Sequence, residues 1–287
     1  GKLEPSELAP YAAPIATRVN DPEMKVRIAV LKTLGQLEPA ALAMHASQVV
    51  AKLDDDDFSV VTSAAPLLDK LEAPILGIYA GTIIEKLDDL RAKDTHLSVT
   101  KNVEKALAKL SVVQLAPHVA GLAKKLAAAA SQERLNALKS LQSIPGAALG
   151  TCAAAIAAAL DDADKGVRQE AVKAMGHLEM ADLSTHAAAV ASRLEDSESS
   201  VQLASLATLA KVEPSTLAQH GTAISAKLNP NTSSSALRKE ACKTLACLEP
   251  SALGAYDAAI AAQAGDSEES VRKEAIKTLG KLEGAPL

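Results

Sequence analysis

Large aromatic side chains are nearly absent from this sequence of 287 residues, which holds three Tyr, one Phe and no Trp. A compact core of this size normally draws much of its buried area from large aromatics. The apolar residues are mostly Ala, Leu, Val and Ile instead, and a hydrophobic fraction of 48% with 23% charge is typical of a folded chain. This composition favours an all-helical, elongated protein in which small residues let helices approach closely.

Cysteine is scarce as well, and positive charge is not in excess. Cys152, Cys242 and Cys247 are odd in number and have no CxxC spacing, which indicates neither a disulfide framework nor a zinc site. We therefore expect a reducing intracellular compartment, the cytoplasm or an organelle interior. The net charge of −5 lacks the basic surplus of nucleic-acid-binding proteins. The longest uncharged run, residues 140–160, contains a proline and two glycines and is a poor membrane span.

A short pattern recurs along the whole chain. It reads KLEP at Lys2, QLEP at Gln36, KLEA at Lys70, HLEM at His177, KVEP at Lys211, CLEP at Cys247 and KLEG at Lys281, with degenerate copies at Lys109 and Ser143. Successive copies are 34, 34, 39, 34, 34, 34, 36 and 34 residues apart. Repeats of this length indicate stacked supersecondary units. The spacing defines eight repeats, starting near residues 2, 36, 70, 109, 143, 177, 211 and 247.

Each repeat carries two helical patterns, which we call helix A and helix B. Leucine stands six residues past every start, and apolar residues follow at offsets 13 and 17, which predicts one helix A of about four turns. An acidic turn follows, and helix B then runs to a closing apolar residue such as Leu34 or Leu279. Such a hairpin cannot bury its apolar stripe alone, so neighbouring repeats must stack.

The strings DPEMKVRIAVLKTLGQLEP, DDADKGVRQEAVKAMGHLE and DSEESVRKEAIKTLGKLEG resemble HEAT repeats, through the turn Asp and the Val-Arg pair that opens helix B. The resemblance covers residues 1–287 and implies one domain, an all-α, right-handed α-solenoid. Gly1 aligns with Gly35 and Gly280 before a repeat start, so we expect a piece of a longer array or an array whose ends are covered by a partner.

The resemblance also implies a hydrogen-bonded ladder between repeats, formed by the Asp and Arg side chains. It assigns this structural role to Asp21, Arg27, Asp162, Arg168, Asp266 and Arg272. Arg134 and Arg238 occupy the Arg position in repeats without the Asp, and Val61 and Thr100 replace the Arg in repeats two and three. We therefore expect a broken ladder.

Nine residues past each start lies a series that invites a metal site: Tyr11, His45, Tyr79, His118, Cys152, His186, His220 and Tyr256. The position falls along the apolar stripe of helix A, and no carboxylate accompanies it at a fixed offset. A metal centre needs a complete set of ligands. We therefore interpret the series as half-buried packing positions and predict no metal and no cofactor.

Three features are candidate partner-binding elements. Met24 and Phe58 occupy one offset in adjacent repeats, where other repeats carry Lys165, Ser199 or Glu269, and His96 lies in the longer of the two insertions. Helix A of repeat five presents an uncharged face with Ala154, Ala155, Ala158 and Ala159. The Lys series of helix B could form a basic stripe, but Glu three residues earlier favours local ion pairs.

No catalytic motif is present: the sequence lacks GxSxG, GxGxxG, GK[ST] and HExxH. We predict a non-catalytic scaffold or structural subunit that binds other proteins in a multi-subunit complex, with neither nucleic acid nor a membrane span involved. The alternative is a bilin-lyase-like or chaperone-like HEAT-repeat enzyme subunit, because bilin lyases share this kind of repeat and leave no strong local motif.

Overall fold

The computed structural model describes residues 4–92 and 97–282, with the side chains of 88–92 and 97 left aside. The described residues are helical hairpins without a strand. They form two compact units, residues 1–122 with 139–148 and residues 123–138 with 149–287. The dividing line passes through the helices of repeat four.

The B helices are uniform, with eleven residues each. Their bounds are Met24–Leu34, Phe58–Leu68, Leu97–Leu107, Ser131–Leu141, Lys165–Met175, Ser199–Leu209, Ser235–Leu245 and Glu269–Leu279. These starts follow the predicted spacing, including the longer steps after repeats two and six. Within the first unit the first three B helices pack side by side in chain order, and within the second unit the last four do so.

The A helices differ from the prediction, because most are split into shorter segments. The bounds, repeat by repeat, are Pro5–Leu8, Ala9–Tyr11, Ala12–Ala16 and Thr17–Asn20; Pro39–Ala43, Ala46–Ala51 and Lys52–Asp54; Ala73–Ile78 and Ala80–Ala92; Val112–Lys125; Gly146–Leu149, Gly150–Cys152, Ala153–Ala158 and Ala159–Asp161; Met180–Thr185, Ala187–Ser192 and Arg193–Glu195; Pro214–Ala218 and Gly221–Ala226; Pro250–Leu253, Gly254–Tyr256, Asp257–Ala262 and Gln263–Gly265.

The split falls at the residue nine past each start. His45 has φ −115° and ψ 12°, and Cys152 has φ −121° and ψ 12°, which lie in the bridge region rather than in the α region. The small residue that follows, Ala46 or Ala153, is buried. The predicted continuous helix of about four turns is therefore bent at this position; among the described A helices, Val112–Lys125 runs through it unbroken.

The core lies between the A and B layers of each unit. The Leu at offset six is buried in every repeat: Leu8, Leu42, Leu76, Leu115, Leu149, Leu183, Leu217 and Leu253. Burial of such a side chain contributes about 2 kcal/mol before conformational entropy is counted. Regular burial of medium-sized residues explains how the chain folds with so few aromatics.

The two insertions behave differently. In repeat three the inserted residues partly extend helix A, which continues to Ala92. In repeat seven they lengthen the turn between Ala226 and Ser235. His96, the loop residue singled out from the sequence, lies outside the described residues.

Candidate interaction surfaces

Arginine and aspartate side chains link consecutive repeats at the turn edge. Nε and Nη2 of Arg168 donate to the two carboxylate oxygens of Asp196 at 2.7 and 2.9 Å. Arg134 binds Asp162 in the same bidentate way, and Arg238 binds Asp266. Each pair spans 28 residues, from one repeat to the next. Bidentate pairs of this kind are among the stronger hydrogen-bonded contacts in proteins.

The same side chains also hold their own turns together. Arg168 Nη1 donates to the backbone carbonyl oxygens of Asp162 and Ala163, and the Asp162 carboxylate accepts from the backbone N–H of Asp164. Hydrogen bonding from Arg238 lowers the pKa of Asp266 to about 2, and that from Arg168 lowers the pKa of Asp196. The carboxylates are therefore ionised parts of the fold.

This geometry refines the ladder implied by the sequence. The Arg of one repeat binds the Asp of the following repeat, whereas within a repeat Arg27, Arg168 and Arg272 reach only backbone carbonyl oxygens of the turn that holds Asp21, Asp162 or Asp266. Sequence reasoning sought Asp and Arg in the same repeat and so missed Asp55 and Asp196 as acceptors. The constant spacing of 28 residues between each Arg and its Asp was the signal in the sequence that could have identified these acceptors.

Arg27 makes a weaker version of the link. Its Nη2 donates to Asp55 at 2.8 Å and to Asp57 at 2.9 Å, while its buried Nε has no hydrogen-bond partner. The second oxygen of Asp55 accepts from Lys52 instead, at 2.9 Å. Arg27 therefore contacts Asp55 at a single point, and the other Asp55 oxygen is bound by Lys52.

A second series of ion pairs joins the ends of consecutive A helices. Lys86 binds Asp54, Arg193 binds Asp161 and Lys227 binds Glu195, at 2.8–2.9 Å. In each pair the cation is 16 residues past its repeat start and the acid is 18 past the preceding start. Sequence reasoning missed this pairing, because its two members lie in different repeats.

Ala159 stands at the cation position of this series in repeat five. It is buried, with 7% of its surface exposed, so it does not belong to the predicted exposed face of that repeat. Lys52, Lys227 and Gln263 are buried at the same offset, which shows that the position faces the neighbouring repeat. The aligned acid position in repeat four is Ala127, so the charge is missing from both members of the pair.

The lysine at the first position of the recurrent pattern forms a third kind of link between consecutive repeats. Lys211 Nζ donates to the carbonyl oxygen of Gly176 at 2.8 Å, and Lys281 Nζ donates to that of Ala246 at 2.6 Å. The acceptors are the C-cap residues of the B helices Lys165–Met175 and Ser235–Leu245, each one repeat before the B helix that the lysine follows. Lys70 and Lys109 do the same for Gly35 and Asp69. A cation at the negative end of a helix dipole is favourable, which explains why this lysine recurs.

The His, Cys and Tyr series lies at the bends of the A helices, except for His118, whose helix is unbroken. A Cβ added to Gly221 would lie 2.3 Å from the Tyr256 hydroxyl, and one added to Gly81 would lie 2.8 Å from His118 Cε1. These side chains therefore pack on small residues of the preceding repeat. Within the described part of the chain, no three His, Cys, Asp or Glu side chains are grouped to hold a metal ion. Burial raises the pKa of Cys152 to about 11, which disfavours its thiolate.

The uncharged face predicted for repeat five extends to the other repeats. Ala154 and Ala158 are exposed and Ala155 is half-buried. Three positions of this face, at offsets 4, 8 and 11, carry no charge in any repeat, and all but Gly81 are exposed. They are Ser6, Pro10, Ala13; Ala40, Met44, Ser47; Pro74, Ile78, Gly81; Val113, Pro117, Ala120; Ala147, Thr151, Ala154; Ala181, Thr185, Ala188; Ser215, Gln219, Thr222; and Ser251, Ala255, Ala258.

Large apolar side chains gather on this face in three consecutive repeats of the first unit. Met44 is 82% exposed, Ile78 71% and Val113 82%. Gln114, next to Val113, donates to the Ala73 carbonyl oxygen at 2.8 Å, so the A helices of repeats three and four are in contact here. We call Met44, Ile78 and Val113, with the exposed Ala40, Pro74 and Pro117 beside them, the outer patch.

Met24 and Phe58 are the first residues of their B helices, as their shared offset indicates. Met24 is half-buried, and 37% of the surface of Phe58 is exposed. Neither belongs to the outer patch, which lies on the A helices.

The exposed face of the B helices carries ion pairs. Lys173 binds Glu170 at 2.7 Å, Lys243 binds Glu240 at 3.0 Å and the Lys277–Glu274 distance is 3.8 Å. These lysines do not form a continuous basic stripe, because each has a carboxylate beside it on the same helix.

No single helix among residues 4–92 and 97–282 combines the length and hydropathy needed to cross a membrane. One pair bent by 115°, Ser98–Leu107 with Val112–Lys125, meets the criterion only when both helices are taken together.

No protein-family model matches the sequence, and no curated protein matches it. Solved structures do resemble it. A mutant of the karyopherin Kap121p superposes with a TM-score of 0.72 at 15% identity, over 96% of this chain and 34% of Kap121p. Importin beta gives 0.67 at 13%, over 96% and 42%, and an engineered protein gives 0.51 at 18%, over 96% and 79%.

The chain spans little more than a third of Kap121p, and less than half of importin beta. Sequence identities this low show a shared fold and do not show a shared activity. The stacked two-helix repeats, their side-chain links and these superpositions agree with one another: the chain has the fold of a HEAT-repeat α-solenoid.

Proposed function

We propose that this chain is a non-catalytic scaffold or structural subunit that binds other proteins, and that the outer patch is one of its binding surfaces. The observation that carries the proposal is the exposure of Met44, Ile78 and Val113 in three consecutive repeats. Contiguous apolar surface of this kind marks interaction sites on soluble proteins. The fold supports the same function, since Kap121p has been solved in complex with RanGTP and with Nup53p.

The chemistry of the patch indicates the kind of partner. The three exposed positions of the A-helix face carry no charge in any repeat, so charged groups of a partner would be desolvated there without a counter-charge. A complementary surface should therefore be apolar and uncharged at its centre, as the cores of protein interfaces are. A folded protein with such a surface is the partner that fits.

The test compares two triple variants of the tagged chain, used as bait in extract of its native source. Met44→Lys, Ile78→Lys and Val113→Lys place three charges on the outer patch. The matched control places three lysines at exposed positions of the same face in other repeats, Thr185→Lys, Gln219→Lys and Ala255→Lys. Co-purifying proteins are quantified by mass spectrometry.

We expect a stoichiometric partner that the patch variant loses by about tenfold or more, because three buried charges cost well over 1.4 kcal/mol, while the control variant retains it. Equal recovery with both variants would show that the outer patch is not the binding surface. Recovery of a free chain carrying a bound pigment or metal would overturn the scaffold proposal and favour the lyase-like alternative.

A further inference from the structure

The first and last of the eight repeats each carry one half of an Arg–Asp link. At four joints within the described residues, the Arg of one repeat binds the Asp of the next. Among those same residues, no cation binds the Asp21 carboxylate of repeat one, and no carboxylate binds the Arg272 guanidinium of repeat eight. Repeat one therefore presents an acceptor for this link and repeat eight presents a donor.

The Asp21 carboxylate has the local geometry of the linked aspartates. It accepts from the backbone N–H of Glu23 at 3.0 Å. Asp196, which binds Arg168, accepts from the backbone N–H of Glu198 at the same distance. The same turn bond orients both carboxylates, so Asp21 is arranged to accept an arginine as Asp196 does.

The Arg272 guanidinium is likewise held as the linked arginines are. Its Nη1 donates to the carbonyl oxygens of Asp266 and Ser267, at 2.7 and 2.8 Å. Arg168 holds its own turn through Nη1 in the same way and binds Asp196 through Nε and Nη2. The Nε and Nη2 groups of Arg272 are thus available to a further carboxylate.

The two end repeats also expose apolar residues at positions that are buried elsewhere. Val26, the third residue of its B helix, is 37% exposed, and Ile276, the eighth residue of its B helix, is 61% exposed. The third residue is at most 2% exposed in six other repeats, as Val60, Val99, Val167, Val201, Leu237 and Val271. The eighth residue is fully buried in six other repeats, as Leu31, Ala65, Leu138, Val172, Leu206 and Cys242.

The eighth residue of a B helix faces the following repeat. In the second unit its carbonyl oxygen accepts, at 3.1–3.2 Å, from a threonine at the tenth position of the next B helix: Thr208 donates to Val172, Thr244 to Leu206 and Thr278 to Cys242. Thr33 is the corresponding threonine of repeat one, half-buried and bonded within its own helix to the Ala29 carbonyl oxygen. The Thr33 hydroxyl and the Ile276 carbonyl oxygen are therefore a second complementary pair on the two end faces.

We propose that the face of repeat eight binds the face of repeat one of a second copy of this chain. Arg272 then binds Asp21 of the other copy, and Ile276 and Val26 are both covered, as at an internal joint. A second copy fits because each end face complements the other, whereas two like ends would set equal charges against each other. Such a contact is heterologous, so it can repeat from copy to copy. It is a binding surface beyond the scaffold proposal and separate from the outer patch.

The test is analytical ultracentrifugation of the purified chain over a series of concentrations. We expect the average mass to rise with concentration above that of one chain. Arg272→Glu should weaken the association by about tenfold or more, because it sets two carboxylates against each other. Lys139→Glu, the same change of charge at an exposed position of repeat four, should leave it unchanged. Ile276→Lys provides a second variant of the same face should Arg272→Glu disturb folding, which circular dichroism reports.

An exchange of charges tests the contact directly. Chains with Asp21→Arg should not associate with one another, because two arginines would meet, and chains with Arg272→Asp should not, because two aspartates would meet. An equimolar mixture of the two variants should associate, since every contact between them pairs an arginine with an aspartate. Mixing would not rescue a residue whose role is confined to the stability of its own chain.

Three results would overturn the inference: the mass of one chain at every concentration, an association that Arg272→Glu and Ile276→Lys leave intact, or a mixture that associates no better than either variant alone. The outer patch takes no part in this contact. Failure of the end-to-end contact would therefore leave the scaffold proposal standing, and the lysine variants of the outer patch should associate as the wild type does.

Discussion

The guanidinium of Arg238 shows what a single residue does in this fold. It donates to both carboxylate oxygens of Asp266 in the next repeat and to the Ser233 carbonyl oxygen of its own turn. Both members of the ion pair are largely buried, with side-chain exposures of 8% and 3%. Loss of one partner would leave the other as an unpaired buried charge, which costs more than the pair itself gains.

We predict that Arg238→Met lowers the free energy of unfolding by about 3 kcal/mol, because it strands the Asp266 carboxylate away from water. The measurement is urea unfolding followed by circular dichroism. Gln202 is the matched control, since it occupies the Arg position of repeat six and donates only to the Asp196 carbonyl oxygen of its own turn. Gln202→Met should cost about 1 kcal/mol, the usual net worth of one hydrogen bond. Equal losses in the two variants would contradict a special role for the link.

The role of a single residue could be predicted where the same residue type recurs at one position of every repeat. The buried Leu at offset six follows from its recurrence in every repeat. The acceptor role of Asp196 did not follow, because the resemblance places Asp and Arg in one motif and the geometry joins them across two. The unpaired Nε of Arg27 did not follow either, since Arg27 occupies the same repeat position as Arg168 and Arg238, which bind their Asp in a bidentate way.

At the scale of elements, the ends of the A helices are matched from one repeat to the next. A cation at offset 16 meets an acid of the preceding repeat in the pairs Lys86–Asp54, Arg193–Asp161 and Lys227–Glu195. Where the acid position holds Ala127 or Asn229, the cation position of the next repeat holds Ala159 or Gln263. Where it holds Asn20, Lys52 binds Asp55 of its own repeat instead. A buried lysine without its acid would be costly, so the two losses belong together.

The effects of Ala127→Asp and Ala159→Lys on the free energy of unfolding should therefore be coupled. Each single change is expected to destabilise the chain, since it adds a charge without a partner at the joint between repeats four and five. Together they restore the ion pair, and we expect a coupling energy of about 0.5–1 kcal/mol in a double-mutant cycle from urea unfolding. Strictly additive effects would show that the joint cannot accommodate the pair. The cycle Ala127→Asp with Ala158→Lys, one position away, controls for charge alone.

Element positions were predictable from periodicity, and element shapes were not. The B helices begin where the repeat spacing places them because their apolar stripes and turn residues recur. The bend of the A helices was missed, since offsets 6 and 13 fit a straight helix equally well. Only the backbone of residues such as His45 and Cys152 reveals the break.

Across the molecule, charge is sorted by location. Turns and helix ends carry the ion pairs that link repeats, and the B helices of repeats five, seven and eight carry paired Glu and Lys. The exposed A-helix face carries neither sign at three positions of every repeat. The sequence revealed this face only in repeat five, where the alanine run draws attention. The outer patch escaped notice because Met44, Ile78 and Val113 are ordinary residues until their exposure is known.

The stability of the whole chain should fall in acid through the linking carboxylates. Folding lowers the pKa of Asp55, Asp162 and Asp196, and that of Asp266 to about 2, whereas an unfolded Asp titrates near 3.9. The unfolded chain therefore binds protons first as the pH falls, so this stability is complete above about pH 4 and is lost progressively towards pH 2. Urea midpoints measured at several pH values across that window should decrease steadily. Arg238→Met, which removes the main cause of the Asp266 shift, should show a shallower decrease; identical slopes in the variant and the wild type would mean that acid sensitivity arises elsewhere.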